Sequence, residues 1–144
     1  MTEYLEPADV EHWVTARGLH FRDRSLLLSA LAGPMPVFGE EIHPGLHEKA
    51  AVLLIGINRN HPLLDGNKRL SWLVTAVFYE LNGFDLVIPR QAAIATFVRA
   101  VAADEVTRDE VVAWFAAHVH PLAGSRLVAQ RPRPPGGSAV GGRV

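Results

Sequence analysis

At 144 residues the chain has the length of one compact domain, and a hydrophobic content of 49% suffices to cover a single buried core. A formal net charge of -1 and a pI of about 6.6 exclude the strongly basic footprint that drives nonspecific binding to nucleic acid or to an anionic membrane. No cysteine is present, which excludes disulfides, thiolate ligands and a cysteine nucleophile and suits a reducing compartment.

The acidic start Met1-Thr2-Glu3-Tyr4-Leu5-Glu6 lacks the basic-then-apolar pattern of a secretory signal, so the cytoplasm is the expected compartment. A first helix is predicted over Asp9 to Arg17, with Val10, Trp13 and Val14 on its apolar face, Pro7 in its first turn and Gly18 at its exit. A second, short helix follows, capped by Asp23 or Ser25, carrying Leu26-Leu27-Leu28 and Leu31, and stopped by Gly33-Pro34. From Pro34 to Ile42 the prolines, Gly39 and the alternation around Val37-Phe38 suit an extended loop or hairpin, a flap. A third helix spans Gly45 to Arg59, with Leu46, Ala50, Leu53, Leu54 and Ile57 at helical spacing and Pro62 ending the run. The strongest stripe is Leu70, Leu73, Val74, Val77, Phe78 and Leu81, closed by Asn82-Gly83, and this fourth helix is expected to be central.

A short extended piece around Leu86-Val87-Ile88 precedes a helix marked by Ile94, Phe97, Val98 and Val101. Thr107 and Glu110 form a capping box for a last helix whose Val111, Val112 and Phe115 face inward. The apolar run Ala50 to Ile57, among the longest, falls short of the ~20 residues a membrane helix needs, so no membrane partner is expected. The Pro/Gly-rich stretch 125–144 has too little apolar content to offset its ordering entropy and reads as a disordered tail behind a domain at 1–124; Arg131 and Arg133 among its prolines read as solvated. The sum is an all-α bundle of five to six helices with a flap.

Chemistry concentrates between the third and fourth helices, in His61-Pro62-Leu63-Leu64-Asp65-Gly66-Asn67-Lys68-Arg69. There a loop meets a helix N-terminus, where the first backbone N–H groups lack partners and the dipole favours an anion. Asn67 is the expected cap, and Gly66 lets the backbone approach a phosphate. Lys68 and Arg69 in the first turn oppose the macrodipole, but a bound polyphosphate would turn both cations and the free N–H groups onto negative oxygens. Asp65 offers the hard oxygen that a phosphate-bridging Mg²⁺ prefers, and His61 a base that titrates near neutral pH. These are the parts of a phosphoryl or nucleotidyl transfer site. Singly, each has a plainer reading: His61 as a loop residue, Asp65-Gly66 as a turn, Lys68-Arg69 as a solvated pair. Their arrangement carries the argument.

His61-x-x-x-Asp65-Gly66-Asn67-Lys68-Arg69 resembles the signature of the Fic/Doc superfamily, His-x-Phe-x-Asp/Glu-Gly/Ala-Asn-Lys/Gly-Arg. Arg22-Asp23, Leu28-Ser29-Ala30-Leu31, Lys49-Ala50-Ala51 and Leu81-Asn82-Gly83 resemble Doc-type sequence at corresponding places, so the likeness runs from Arg22 to Gly83. It implies a Fic/Doc-like helical bundle in which His61 deprotonates a target hydroxyl, Asp65 orients the reaction centre or its Mg²⁺, and Asn67, Lys68 and Arg69 hold phosphates. The flap, here Pro34 to Ile42, would position the target segment by strand-like pairing. AMP-transferring Fic proteins usually carry a second glycine and a second arginine where this chain has Lys68 and Trp72. Those two residues look like the Doc branch. The resemblance therefore implies a toxin with ATP as cosubstrate, transferring the γ-phosphate to a Ser or Thr of a translation factor, elongation factor Tu, and neutralised by an antitoxin.

The alternatives are AMP transfer and a noncatalytic binding module on the same fold. Leu63 replaces the motif phenylalanine that packs into the core and steadies the loop. Thr2 and Glu6 have the spacing of the inhibitory helix of some Fic proteins, but Pro7 stands where Gly or Asn is expected, and coincidence explains the match. His43 with His47 and His118 with His120 have metal-ligand spacings without a third ligand, and Trp72, Phe78 and Trp114 read as core. Arg59 has two readings, a phosphate contact or a surface residue at a helix end.

Overall fold

The computed structural model describes residues 1–88 and 90–122; the expected tail at 125–144 lies outside them. Helix α1 (Pro7–Ala16) starts on proline and buries Val10 and Val14, while Trp13 packs half-buried against the core. Helix α2 (Arg24–Ala32) is capped by Asp23, whose carboxylate accepts from Ser25 N at 3.0 Å, and it buries Leu27, Ala30 and Leu31. Leu28 of its leucine triplet faces solvent.

The flap is a hairpin closed by two hydrogen bonds between Val37 and Glu40, both 2.9 Å. Its two central residues, Phe38 at φ 51° and Gly39 at φ 79°, take the left-handed region as a type I′ turn requires. Glycine accepts that conformation freely, whereas Phe38 is strained there and its ring is fully exposed.

Helix α3 (Leu46–Asn60) leads into the motif loop and α4 (Asn67–Leu81) leaves it. The sequence pointed to α4 as the central helix, but α3 is the hub: it packs against α2, α4, a fifth helix, α5 (Gln91–Ala102), and a sixth, α6 (Arg108–His118). Ala50 and Ala51 explain this, since two short, fully buried side chains about 100° apart on the helix let neighbours approach from two directions. Helix α4 buries Leu70, Val74, Phe78 and Tyr79, and its last stripe residue, Leu81, is partly exposed.

The capping box of α6 is as read: Thr107 Oγ1 accepts from Glu110 N at 3.1 Å, and the Glu110 carboxylate accepts from Thr107 N at 2.8 Å. The extended piece falls two residues earlier than expected, as β1 (Phe84–Leu86), and pairs antiparallel with an unanticipated β2 (Val119–Pro121). The described residues thus form an all-α bundle of six helices with a small two-stranded sheet. None of these helices is long and apolar enough to cross a membrane.

Candidate functional site

Helix α3 ends on His61, held in the left-handed region at φ 53°. The last turn of a helix leaves carbonyls unpaired, and here one side chain takes two of them. Arg22 Nε donates to His61 O at 2.7 Å and its Nη2 donates to Asn60 O at 2.8 Å. The backbone beside Arg22 continues the strap: Arg22 N and Asp23 N both donate to Pro62 O, at 2.7 and 3.0 Å, and Leu64 N donates to His20 O at 2.9 Å. Phe21 pairs with Leu63 in an isolated bridge, and Leu63 is 1% exposed. Leucine therefore fills the buried place at which the family motif has phenylalanine.

Asn67 is not the cap that the sequence suggested. Gly66, at φ 93°, occupies the N-cap position, and Asn67 is the first residue of α4. The Asn67 amide reaches back across the loop, accepting from Leu63 N at 2.9 Å and donating to Leu63 O at 3.0 Å. A side chain at Gly66 would meet Leu19 and Arg69 atoms at 3.1 Å, and its backbone angle disfavours any residue with a Cβ. No side chain caps α4. The first helical N–H to be satisfied is that of Leu70, which donates to Gly66 O at 2.9 Å, so the N–H groups of Asn67, Lys68 and Arg69 lie ahead of the helical ladder. That end of α4 has the physics of an anion site.

His61, Asp65, Gly66, Asn67, Lys68 and Arg69 all line one open cleft of about 580 Å³, together with Arg22 and Arg59. Four permanent cations face one carboxylate there, although the whole chain carries a net charge of -1. His61, Asp65, Lys68 and Arg69 are exposed to solvent. Arg59 Nη2 stands 3.5 Å from Asp104 Oδ1 with both side chains exposed, a weak pair that leaves the guanidinium free to turn toward an anion. Among the described residues, Asp65 is the lone carboxylate lining the cleft, and no three His, Cys, Asp or Glu side chains gather as a metal cage. One carboxylate suits a Mg²⁺ held mainly by phosphate oxygens and water.

The first turn of α4 is braced from behind. Asn58 Nδ2 donates to Ser71 Oγ at 2.8 Å inside the core, and Ser71 Oγ donates to Lys68 O at 2.8 Å at its edge. The flap is braced as well. Lys49, 1% exposed, donates to Pro34 O at 3.2 Å and pairs with the Glu41 carboxylate, so one buried ammonium ties both feet of the hairpin. Burial is the largest single influence and works against its charge, but Glu41 and Tyr4 together outweigh it and hold the Lys49 pKa above the ordinary lysine value.

Two of the other histidines have structural roles. His47 Nδ1 shares a 2.8 Å hydrogen bond with Tyr79 OH, and burial lowers its pKa below 6.5; His118 Nδ1 donates to Trp114 O at 2.8 Å. Glu6 occupies the N-cap position of α1 without a side-chain capping bond and does not line the cleft. Sequence reasoning missed Arg22 as a support for the loop and left Arg59 undecided. Arg22 meets its carbonyls across 38 and 39 residues of sequence, and only its place in a Doc-like dipeptide marked it.

A profile described as the Fic/DOC family matches residues 6–79, a span that includes the strap, the flap, α3, the motif loop and most of α4. The chain is also similar to the protein named Toxin Doc from Mycolicibacterium smegmatis, with 43% identity over 93 residues covering 60% of this chain and 69% of that protein. With the motif loop, its arginine strap and the uncapped start of α4 all inside the matched region, the chain belongs to the Fic/DOC family.

Proposed function

We propose that this protein is a Doc-type toxin that transfers the γ-phosphate of ATP to a Ser or Thr hydroxyl of a translation factor, elongation factor Tu, and so arrests growth in the cytoplasm until an antitoxin binds it. The likeness to Toxin Doc supports the toxin and antitoxin parts. The observation that carries the chemistry is the convergence of His61, Asp65, the uncapped start of α4 and four cations on one cleft.

The reaction asks little covalent chemistry of the protein and much positioning. In this reading the phosphates lie across the N–H groups of α4, held by Lys68 and Arg69 with Arg59 at the rim, while Arg22 holds the loop backbone. His61 accepts the proton of the target hydroxyl, its oxygen bonds to the γ-phosphorus, and the bond from that phosphorus to the β-bridging oxygen breaks, releasing ADP. Mg²⁺ held by Asp65 and phosphate oxygens would neutralise charge on the polyphosphate. The target segment lies along the flap, whose exposed Val37, Phe38 and Ile42 offer apolar contacts beside it.

AMP transfer uses the same motif, but Lys68 and Trp72 stand where that branch has glycine and arginine. Mass spectrometry of elongation factor Tu incubated with the protein, ATP and Mg²⁺ tests the assignment. A phosphoryl group on a Ser or Thr peptide is expected. An adenylyl group would overturn the γ-transfer reading, and an unmodified factor would overturn the target.

A further inference from the structure

The segment 2–6 ahead of α1 takes no part in the chemistry above, yet it is fastened to the end of α4 away from the motif loop. Asn82, the C-cap of α4, accepts from Glu3 N at 2.8 Å, donates to Glu3 O at 3.0 Å and donates to Phe78 O at 2.8 Å. The next residue, Tyr4, sets its ring centroid 6.2 Å from that of Phe78 and 5.7 Å from Lys49 Nζ, the ammonium that ties both feet of the flap. We propose that this segment is a clamp that sets the flap through Lys49, with Tyr4 a positioning residue for the protein target and Asn82 the clasp. The proposal rests on the reading of the flap as the edge along which the target lies.

The Asn82 amide meets both polar groups of the Glu3 backbone, one as acceptor and one as donor, and so fixes where the segment sits on α4. Fixing Glu3 fixes Tyr4, whose Cα is only ~3.8 Å further along the chain. A lysine stem is flexible and its ammonium carries three donors, of which the flap takes two, through Pro34 O and the Glu41 carboxylate. The Tyr4 ring closes the other side. It attracts the charge and keeps out water that would compete with the flap for the ammonium. Glu41 is partly exposed, so the pair is open on the flap side and walled on the side of the clamp. The Tyr4 hydroxyl is buried and has no hydrogen-bond partner among the described residues, so it is the ring that acts on Lys49.

These connections give the effect a direction. Without the clasp or the ring, water reaches Lys49, its hold on the two feet weakens, and the hairpin samples more conformations. A target that binds along a loose hairpin must order it first, so its apparent affinity falls with the competent fraction. Lys49 lies in the first turn of α3 and His61 at its C-cap, about 18 Å apart along the helix axis. The clamp therefore acts on target binding and spares the phosphate cleft. A ring that only filled the core would loosen Phe78 and α4 as much as the flap; one that acts through Lys49 loosens the flap alone.

Hydrogen exchange and target kinetics on the full chain carrying Tyr4→Leu or Asn82→Ala test the clamp. Each variant is expected to exchange about tenfold faster at the Val37 and Glu40 amides, with the amides of α3 and α4 as in the parent. Each should raise KM for the target about tenfold while leaving kcat and KM for ATP within about twofold. Tyr4→Phe keeps the ring and removes an unpartnered hydroxyl, so it should behave as the parent does. In a Lys49→Met background Tyr4→Leu should add nothing at the flap amides. If Tyr4→Leu does not fold, Asn82→Ala makes the same test from the exposed side of the segment. Parent-like exchange in the clamp variants, equal acceleration with and without Lys49, or faster flap exchange with an unchanged target KM would overturn the proposal. If the parent chain modifies no target, the proposed function falls and the role toward the target with it, while flap exchange that depends on Tyr4 only when Lys49 is present still establishes the clamp.

Discussion

Arg22 closes the C-terminus of α3 with a two-pronged contact to Asn60 O and His61 O, and so fixes the backbone from which the His61 ring projects. A cation at a helix C-terminus is worth up to about 2 kcal/mol in favourable geometry, so Arg22→Ala should lower stability by about 1–2 kcal/mol. Its effect on turnover should be larger, because a misplacement of about 1 Å at a reacting group costs ~100-fold. Kinetics on a peptide target should show the loss in kcat, with KM for ATP little changed, and Arg22→Lys should fail to restore it because an ammonium cannot span both carbonyls. An equal loss in KM would mean that Arg22 acts on phosphate instead. At this scale the sequence was informative about types and poor about directions. His61, Asp65, Lys68 and Arg69 line the cleft as their order along one loop suggested. The Asn67 amide went elsewhere, because a left-handed Gly66 turns the chain so that the side chain faces Leu63 across the loop, a consequence of loop geometry that residue identity does not encode.

Among the elements, the flap depends on a residue outside it. Lys49 interrupts the apolar face of α3, and a buried charge persists only where partners compensate its desolvation. Its partners, Pro34 O and the Glu41 carboxylate, stand at either foot of the hairpin. Replacing it with an apolar residue of similar length, Lys49→Met, should keep α3 packed and release the flap. Hydrogen exchange should then show faster exchange at the Val37 and Glu40 amides, with the amides of α3 protected as before. Unchanged exchange at the hairpin would remove Lys49 from any role in holding it. The flap itself was legible from its prolines and Gly39, and α3 from its period and Pro62. The pairing of β1 with β2 was not, since three residues are too few to establish an alternation of period two.

Across the whole molecule, the bundle delivers two helix ends to one place: the last carbonyls of α3, covered by Arg22, and the first N–H groups of α4, left open. The Asn58 and Ser71 pair holds the two helices in that relation from inside the core. The fold class could be read from helical periodicity alone, whereas the centrality of α3 could not, because it arises from how α5 and α6 return to the pair. The central claim is that this arrangement moves a γ-phosphate with His61 as the base. Incubating the full chain with cell extract, Mg²⁺ and ATP labelled at either the α or the γ position tests it most directly. The account predicts γ-label on a protein target with the parent chain and none with His61→Ala; α-label on the target, or equal γ-labelling by the His61→Ala protein, would contradict it.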